Sequence, residues 1–172
     1  MREEWDLYTR ERARTGLVHC RGDEMPKGLY HIVVEVWTIV DHERVLLTQR
    51  HPDKPFGLLW ECTGGSILRN EDSVEGAIRE VREEIGIDTR EADLEKVFEY
   101  VGEDCIYDVY VTYQDEGCLK RMKLQEEEVV DVKCVSYDEF KDLLMENDVV
   151  PKLAYFTELV KNGSICLEPA SG

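Results

Sequence analysis

Apolar positions recur along this chain with two different spacings, and the changes between them divide it into strands and helices. Tyr30 to Val40 is rich in Val, Ile and Trp, the composition of a buried strand. Asp41-His42-Glu43 reads as a turn and Val45 to Thr48 opens a second strand, so the two form a hairpin. Residues 51–60, with two prolines, read as a loop leading into Gly64-Gly65. The spacing then changes. Val74, Ala77, Ile78, Val81 and Ile85 recur every three or four residues, the stripe of an amphipathic helix. Asp72 with Glu75 forms its N-terminal cap and Gly86 stops it. Strands follow over Lys96–Val101, Ile106–Tyr113 and Val129–Val135. Ser136 with Glu139 opens a helix to about Glu146, and Pro151 opens a last helix that ends before Gly163. Residues 5–28, polar and punctuated by Gly16, Gly22, Pro26 and Gly28, read as an N-terminal arm.

Strands and helices intermingle without internal repeats or a long linker. The expectation is one α/β domain over residues 1–172, with a mixed β-sheet, an arm over 1–28 and C-terminal helices over 136–163. That length can bury a core without staples. No run approaches 18 consecutive apolar residues, so no membrane span is expected. Met1-Arg2-Glu3-Glu4-Trp5 lacks the pattern of a secretory signal, and a cytoplasmic protein is the default. The formal net charge of −17 argues against nucleic-acid binding, which needs clustered Lys and Arg. An acidic protein that binds a phosphorylated small molecule needs a divalent cation between them. The six cysteines form no C-x-x-C pair and read as reduced, structural thiols. The N-terminal arm is a candidate for pairing across a homodimer.

The helix after Gly65 carries the chemistry. Glu80, Glu83 and Glu84 stand at i, i+3 and i+4, on one helix face and away from the apolar stripe. Packing therefore points them out of the core. At about 5 Å and an effective dielectric near 20, each pair repels by roughly 3 kcal/mol before screening. The helix C-terminus adds a further penalty for anions. Arg79 and Arg82 are placed to relieve part of it, and a hard divalent cation would relieve more. From spacing alone, a solvated acidic face and a metal site are equal readings.

Gly65, Glu71, Arg79, Glu80, Val81, Glu83, Glu84, Gly86 and Ile87 fit G-x5-E-x7-R-E-U-x-E-E-x-G-U, where U is aliphatic. This 65–87 segment resembles the Nudix box at every specified position. The resemblance implies a Nudix-type α/β/α sandwich that hydrolyses a diphosphate linkage in a nucleoside diphosphate joined to another moiety. It implies Glu80, Glu83 and Glu84 as ligands of Mg²⁺ or Mn²⁺, one of them deprotonating the attacking water. A backbone carbonyl of Gly64 or Gly65 adds a ligand in the family, and Glu71 with Arg79 forms a structural pair. A further acid, Glu128 ahead of Glu126, is implied just before the strand at Val129. Arg50 matches a phosphate contact, with a plain surface arginine as the alternative. Trp60 is placed either to stack on a base or to pack beneath the loop.

Trp5-Asp6-Leu7-Tyr8, Tyr30-His31-Ile32-Val33-Val34 and Glu128-Val129-Val130-Asp131 resemble the isopentenyl-diphosphate isomerase-like branch. The isomerases use a Cys just before the box and a His-rich metal site. Here Gly64 falls where that Cys belongs, Ser66 replaces the following His, and Cys62 is two residues early. His31 matches one isomerase metal ligand or is a structural strand residue. An intact box with these departures favours a hydrolase over an isomerase or a non-catalytic nucleotide sensor.

Overall fold

The apolar run around Tyr30–Val40 becomes the central strand of a seven-stranded mixed sheet. The computed structural model describes residues 2–168; residues 1 and 169–172, the ends of the expected 1–172 span, lie outside the described residues. The strands are β1 (Glu4–Tyr8), β2 (Arg14–Cys20), β3 (His31–Val40), β4 (Arg44–Arg50), β5 (Trp60–Glu61), β6 (Thr63–Ser66), β7 (Leu94–Val101), β8 (Cys105–Gln114) and β9 (Val129–Val135). The helices are α1 (Ser73–Ile85), α2 (Gly117–Arg121), α3 (Tyr137–Met145) and α4 (Phe156–Lys161), with a 3₁₀ turn over Pro151–Tyr155 leading into α4.

β3 runs parallel to β8 and antiparallel to β4 and β6, so the sheet is mixed. Its side chains alternate between two cores, as strand geometry requires. Val34 and Val36 pack with Ala77, Val81 and Ile85 of α1. Trp37 and Ile39 pack with Phe140 of α3 and Phe156 and Leu159 of α4. Helices thus cover both faces, giving the α/β/α sandwich.

The sheet forks near its centre. β3 pairs with β4 only from Thr38 to Val40. Before that point β3 pairs with β6 while β4 pairs with β5 and β9. The chain between β5 and β6 bridges the two prongs and delivers Gly64 and Gly65 beside β3. Both strands are short, two and four residues, and β6 carries two glycines, which is why this stretch reads as loop in the sequence.

The N-terminal arm is more ordered than its composition suggests. β1 and β2 form an antiparallel hairpin, with Leu7 and Asp6 buried. Asp6 accepts from Arg14 at 2.7 Å and from the Asn70 amide at 2.7 Å. Trp5 stacks on His31 with ring centroids 4.3 Å apart. Arg12, at the hairpin turn, donates twice to buried Asp108 of β8 at 2.7 and 2.8 Å. Asp108 also accepts from Lys96 at 2.8 Å and from Ser73 Oγ, in the first turn of α1, at 2.5 Å. One carboxylate therefore ties the hairpin, the sheet and α1 together.

Candidate active site

α1 begins and ends as its sequence dictates. Asp72 accepts from the Glu75 amide at 2.8 Å while Glu75 accepts from the Asp72 amide at 2.9 Å, a complete capping box. Gly86 closes the helix in the left-handed region at φ 69°, its amide donating to the Arg82 carbonyl. The apolar stripe then fixes the helix rotation and presents Glu80 and Glu84 to the fork.

Those two acids leave the apolar stripe but do not reach open solvent, which corrects the simplest reading of the helix face. Glu84 is buried, and Glu80 is mostly covered; Glu83 alone is substantially exposed. Their cover is β6. A Cβ on Gly65 would stand 2.4 Å from the Glu80 carboxylate, and one on Gly64 would stand 2.3 Å from the Val34 carbonyl. Two glycines let the strand pass between β3 and the acids.

Arg79 organises the near side. Its guanidinium donates to both oxygens of Glu71 at 2.8 and 2.9 Å, to the Ser66 carbonyl at 3.0 Å, to Glu80 at 2.7 Å and to Glu83 at 3.0 Å. Glu71 also accepts from the Leu68 amide at 2.8 Å, so the pair pins the box loop to α1. Arg82, the other expected neutraliser, instead pairs with Asp88.

Glu84 receives much less. Its carboxylate accepts a long contact of 3.3 Å from the Gly64 amide. Burial pushes its carboxyl well above the usual range, and Glu80 and Glu61 nearby push it further. Burial also raises Glu80, against the pull of Arg79.

These acids form one wall of a cleft of about 280 Å³ lying in the fork of the sheet. Arg50, Lys54 and Lys152 line it too, as do Glu35, Glu61 and Glu128. Arg50 donates to both oxygens of Glu61 at 2.7 and 2.5 Å and to the Pro55 carbonyl at 2.7 Å. Burial still pushes Glu61 upward despite Arg50. Lys54 pairs with Glu128, and Lys152 with Glu35 at 2.5 Å. The hairpin adds Glu3, Trp5 and Arg21 to the rim.

Gly64, Gly65, Arg50, Arg79, Glu80, Glu83, Glu84 and Glu128 all meet at this cleft, though they are scattered over the sequence. Three expected participants lie elsewhere. Trp60 packs against the core under α3 and α4, with Lys133 Nζ 4.0 Å above its ring, so it packs rather than stacks on a base in the cleft. Glu126 is outside the cleft lining. His31 is buried between Trp5 and Cys105, and burial lowers it to about 4 against the opposing pull of Asp104. Glu35, Lys54 and Lys152 carry no motif and were not singled out. The signal for Glu35 is a lone acid inside a strand of Val, Ile and Trp, a costly arrangement unless it is partnered.

Among the described residues no three acidic, His or Cys side chains converge on one point, because Glu80 and Glu83 are turned to Arg79. The donor set still fits a hard divalent cation. Oxygen ligands crowd one wall, and the Glu84 carboxylate is buried with one weak donor.

An α/β/α sandwich with this acid-lined fork defines a class, and comparison with known proteins agrees. Residues 29–159 match the NUDIX domain family, and the chain belongs to the Nudix hydrolases. Enzymes of this family cleave diphosphate bonds, generally with Mg²⁺ or Mn²⁺. A Nudix hydrolase of Listeria monocytogenes is 32% identical over 151 residues, covering 87% of this chain and 89% of that protein. The crystal structure of DR0079 from Deinococcus radiodurans superposes with a TM-score of 0.74 at 16% identity, over 96% of this chain and 100% of that one. A bifunctional NMN adenylyltransferase/ADP ribose pyrophosphatase from Francisella tularensis, complexed with AMP and a Mn ion, gives 0.63 at 18% identity, over 84% of this chain and 44% of that one. None of the helices among the described residues is long and apolar enough to cross a membrane.

Proposed function

We propose that this protein hydrolyses the diphosphate linkage of a nucleoside diphosphate joined to another moiety, by water attack on phosphorus. The observation that carries the proposal is the division of one cleft into an acid wall, Glu80 and Glu84, and a set of cations, Arg50, Lys54 and Lys152. Glu80, Glu83, Glu84 and Glu128, with a carbonyl of Gly64 or Gly65, would hold Mg²⁺ or Mn²⁺. A divalent ion bound there supplies an activated water and neutralises charge on the leaving phosphate.

The chain's own residues do the rest. One of the cleft glutamates accepts the proton of the attacking water; the new P–O bond forms as the bridging P–O bond breaks. Arg50 and Lys54 lie where they would exchange Glu61 and Glu128 for phosphate oxygens, and charge-assisted contacts of this kind position the diphosphate. Arg79 and Glu71 hold the loop so that Gly64 and Gly65 keep their place beside α1. Isomerase chemistry lacks its thiol: Gly64 stands at that position, while Cys62 is buried with its thiol pushed well above the ordinary range by burial and by Glu35.

The test is a panel of ADP-ribose, nucleotide sugars, dinucleotides, coenzyme diphosphates and oxidised nucleotides with Mg²⁺ or Mn²⁺ in ¹⁸O-labelled water. ADP-ribose belongs on it because the Francisella relative is an ADP-ribose pyrophosphatase. The expected result is metal-dependent cleavage with one ¹⁸O in a phosphate product. Deuterium exchange into isopentenyl diphosphate without phosphate release would establish the isomerase alternative, and binding without turnover of any compound would establish a sensor.

A further inference from the structure

Besides Arg79 on the acid wall and Arg21 at the rim, three cations line the cleft, each held by a carboxylate, yet they are displayed differently. The Arg50 and Lys54 side chains are 17% and 22% exposed. The Lys152 side chain is 42% exposed, although its partner Glu35 is only 4% exposed. Lys152 is anchored from below and open toward the cleft.

The anchor is elaborate. Glu35 lies on the β3 face that carries Trp37, opposite α1. Tyr155 donates to its Oε2 at 2.6 Å and accepts from Trp37 Nε1 at 3.1 Å. Tyr100 of β7 donates to the two oxygens at 3.3 and 3.2 Å. Lys152 Nζ meets Oε1 at 2.5 Å and lies 4.4 Å from the centroid of the Tyr107 ring, which is itself stacked on Tyr100. Pro151 starts the 3₁₀ turn that supplies both Lys152 and Tyr155.

An ordinary surface lysine loses rotamer freedom when it grips a ligand. Lys152 has already lost that freedom in the free protein, and preorganisation of this sort strengthens binding. Its ammonium has three donors, of which Glu35 and the Tyr107 ring occupy only part. None of the ion pairs among the described residues joins Lys152 to Glu80, Glu83, Glu84 or Glu128. Its free donor capacity therefore addresses a group on the side of the cleft away from α1.

We infer that Lys152 is a substrate-binding residue that takes an anionic oxygen of the diphosphate, on the phosphoryl group farther from α1. Glu35, locked by Tyr100 and Tyr155, is its positioning residue. The inference rests on the diphosphate reading above. The opposing account makes Lys152 a counterion for Glu35 and nothing more.

A double substitution separates the two accounts. Binding of imidodiphosphate, a hydrolysis-resistant diphosphate, is measured by calorimetry with Mg²⁺, alongside the melting temperature. Lys152→Met is expected to weaken imidodiphosphate binding about tenfold or more and to lower the melting temperature, because Glu35 loses its cation. Adding Glu35→Gln removes the stranded charge, so the double variant recovers the melting temperature and keeps the binding defect. Lys152→Arg recovers part of the affinity. If Lys152→Met fails to fold, the double variant carries the test alone. Recovery of affinity in the double variant, or unchanged affinity in the single one, overturns the inference. Wild-type protein that takes up no imidodiphosphate overturns the diphosphate reading instead.

Discussion

Asp108 and Glu84 are both buried carboxylates, 0% and 4% exposed, and the protein provides for them in opposite ways. Asp108 accepts from Arg12, Lys96 and Ser73 at 2.5–2.8 Å. Burial pushes its carboxyl up, but those bonds together outweigh it and hold it below the usual range. Glu84 has the 3.3 Å contact from Gly64, with Glu80 and Glu61 nearby, and is held well above that range. The first carboxylate is complete and serves as a structural joint. The second is left short of positive charge, the condition that a cation-binding site requires before its cation arrives.

The comparison breaks most visibly in activity. Glu84→Gln should reduce metal-dependent hydrolysis on the order of 10²–10⁴-fold while leaving the melting temperature at neutral pH unchanged or raised, because it removes a desolvated charge. A loss of stability in step with the loss of turnover would place Glu84 in the structural class. Asp108→Asn should do the reverse. It leaves Arg12 and Lys96 with exposed Glu99 as their remaining acidic partner, and urea denaturation should show a loss of about 3 kcal/mol, the low end for a broken buried pair since both cations keep that partner and some contact with water. Turnover per folded molecule should hold.

A smaller effect comes from His31, a buried group kept neutral rather than paired. Its folded pKa of about 4 lies below the unfolded value near 6.5. As pH falls, the unfolded chain takes up the proton first, so stability declines between about pH 6.5 and 4 by at most about 3 kcal/mol and then levels. His31→Gln should flatten that slope in denaturation curves taken across the window. An unchanged slope would assign the pH dependence to other groups.

α1 was legible in full because local signals agree: the apolar stripe, the Asp72–Glu75 cap and the Gly86 stop. The central strands were legible from their Val and Ile content. The β1–β2 hairpin was not, because its stabilising partners, Asp108 and Asn70, lie far along the chain. The carboxylate spacing of Glu80, Glu83 and Glu84 was visible in the sequence, whereas the burial of Glu84 depends on β6, a strand of four residues, two of them glycine, that shows no strand pattern. Trp60 shows the limit of single positions: an aromatic before two glycines fits either face, and only the fork of the sheet turns it to the core. Lys54 and Lys152 reach the cleft from irregular segments whose path no periodicity encodes.

The central claim is that the fork holds a divalent cation on an acid wall in which Glu84 is left short of positive charge, and Mn²⁺ binding followed by electron paramagnetic resonance tests it directly. Titrating Mn²⁺ against wild-type protein and Glu84→Gln, without any phosphate compound, should show free-ion signal removed by the wild type and a marked loss of that uptake in the variant. Equal uptake by the two proteins, or none by the wild type, would contradict the account.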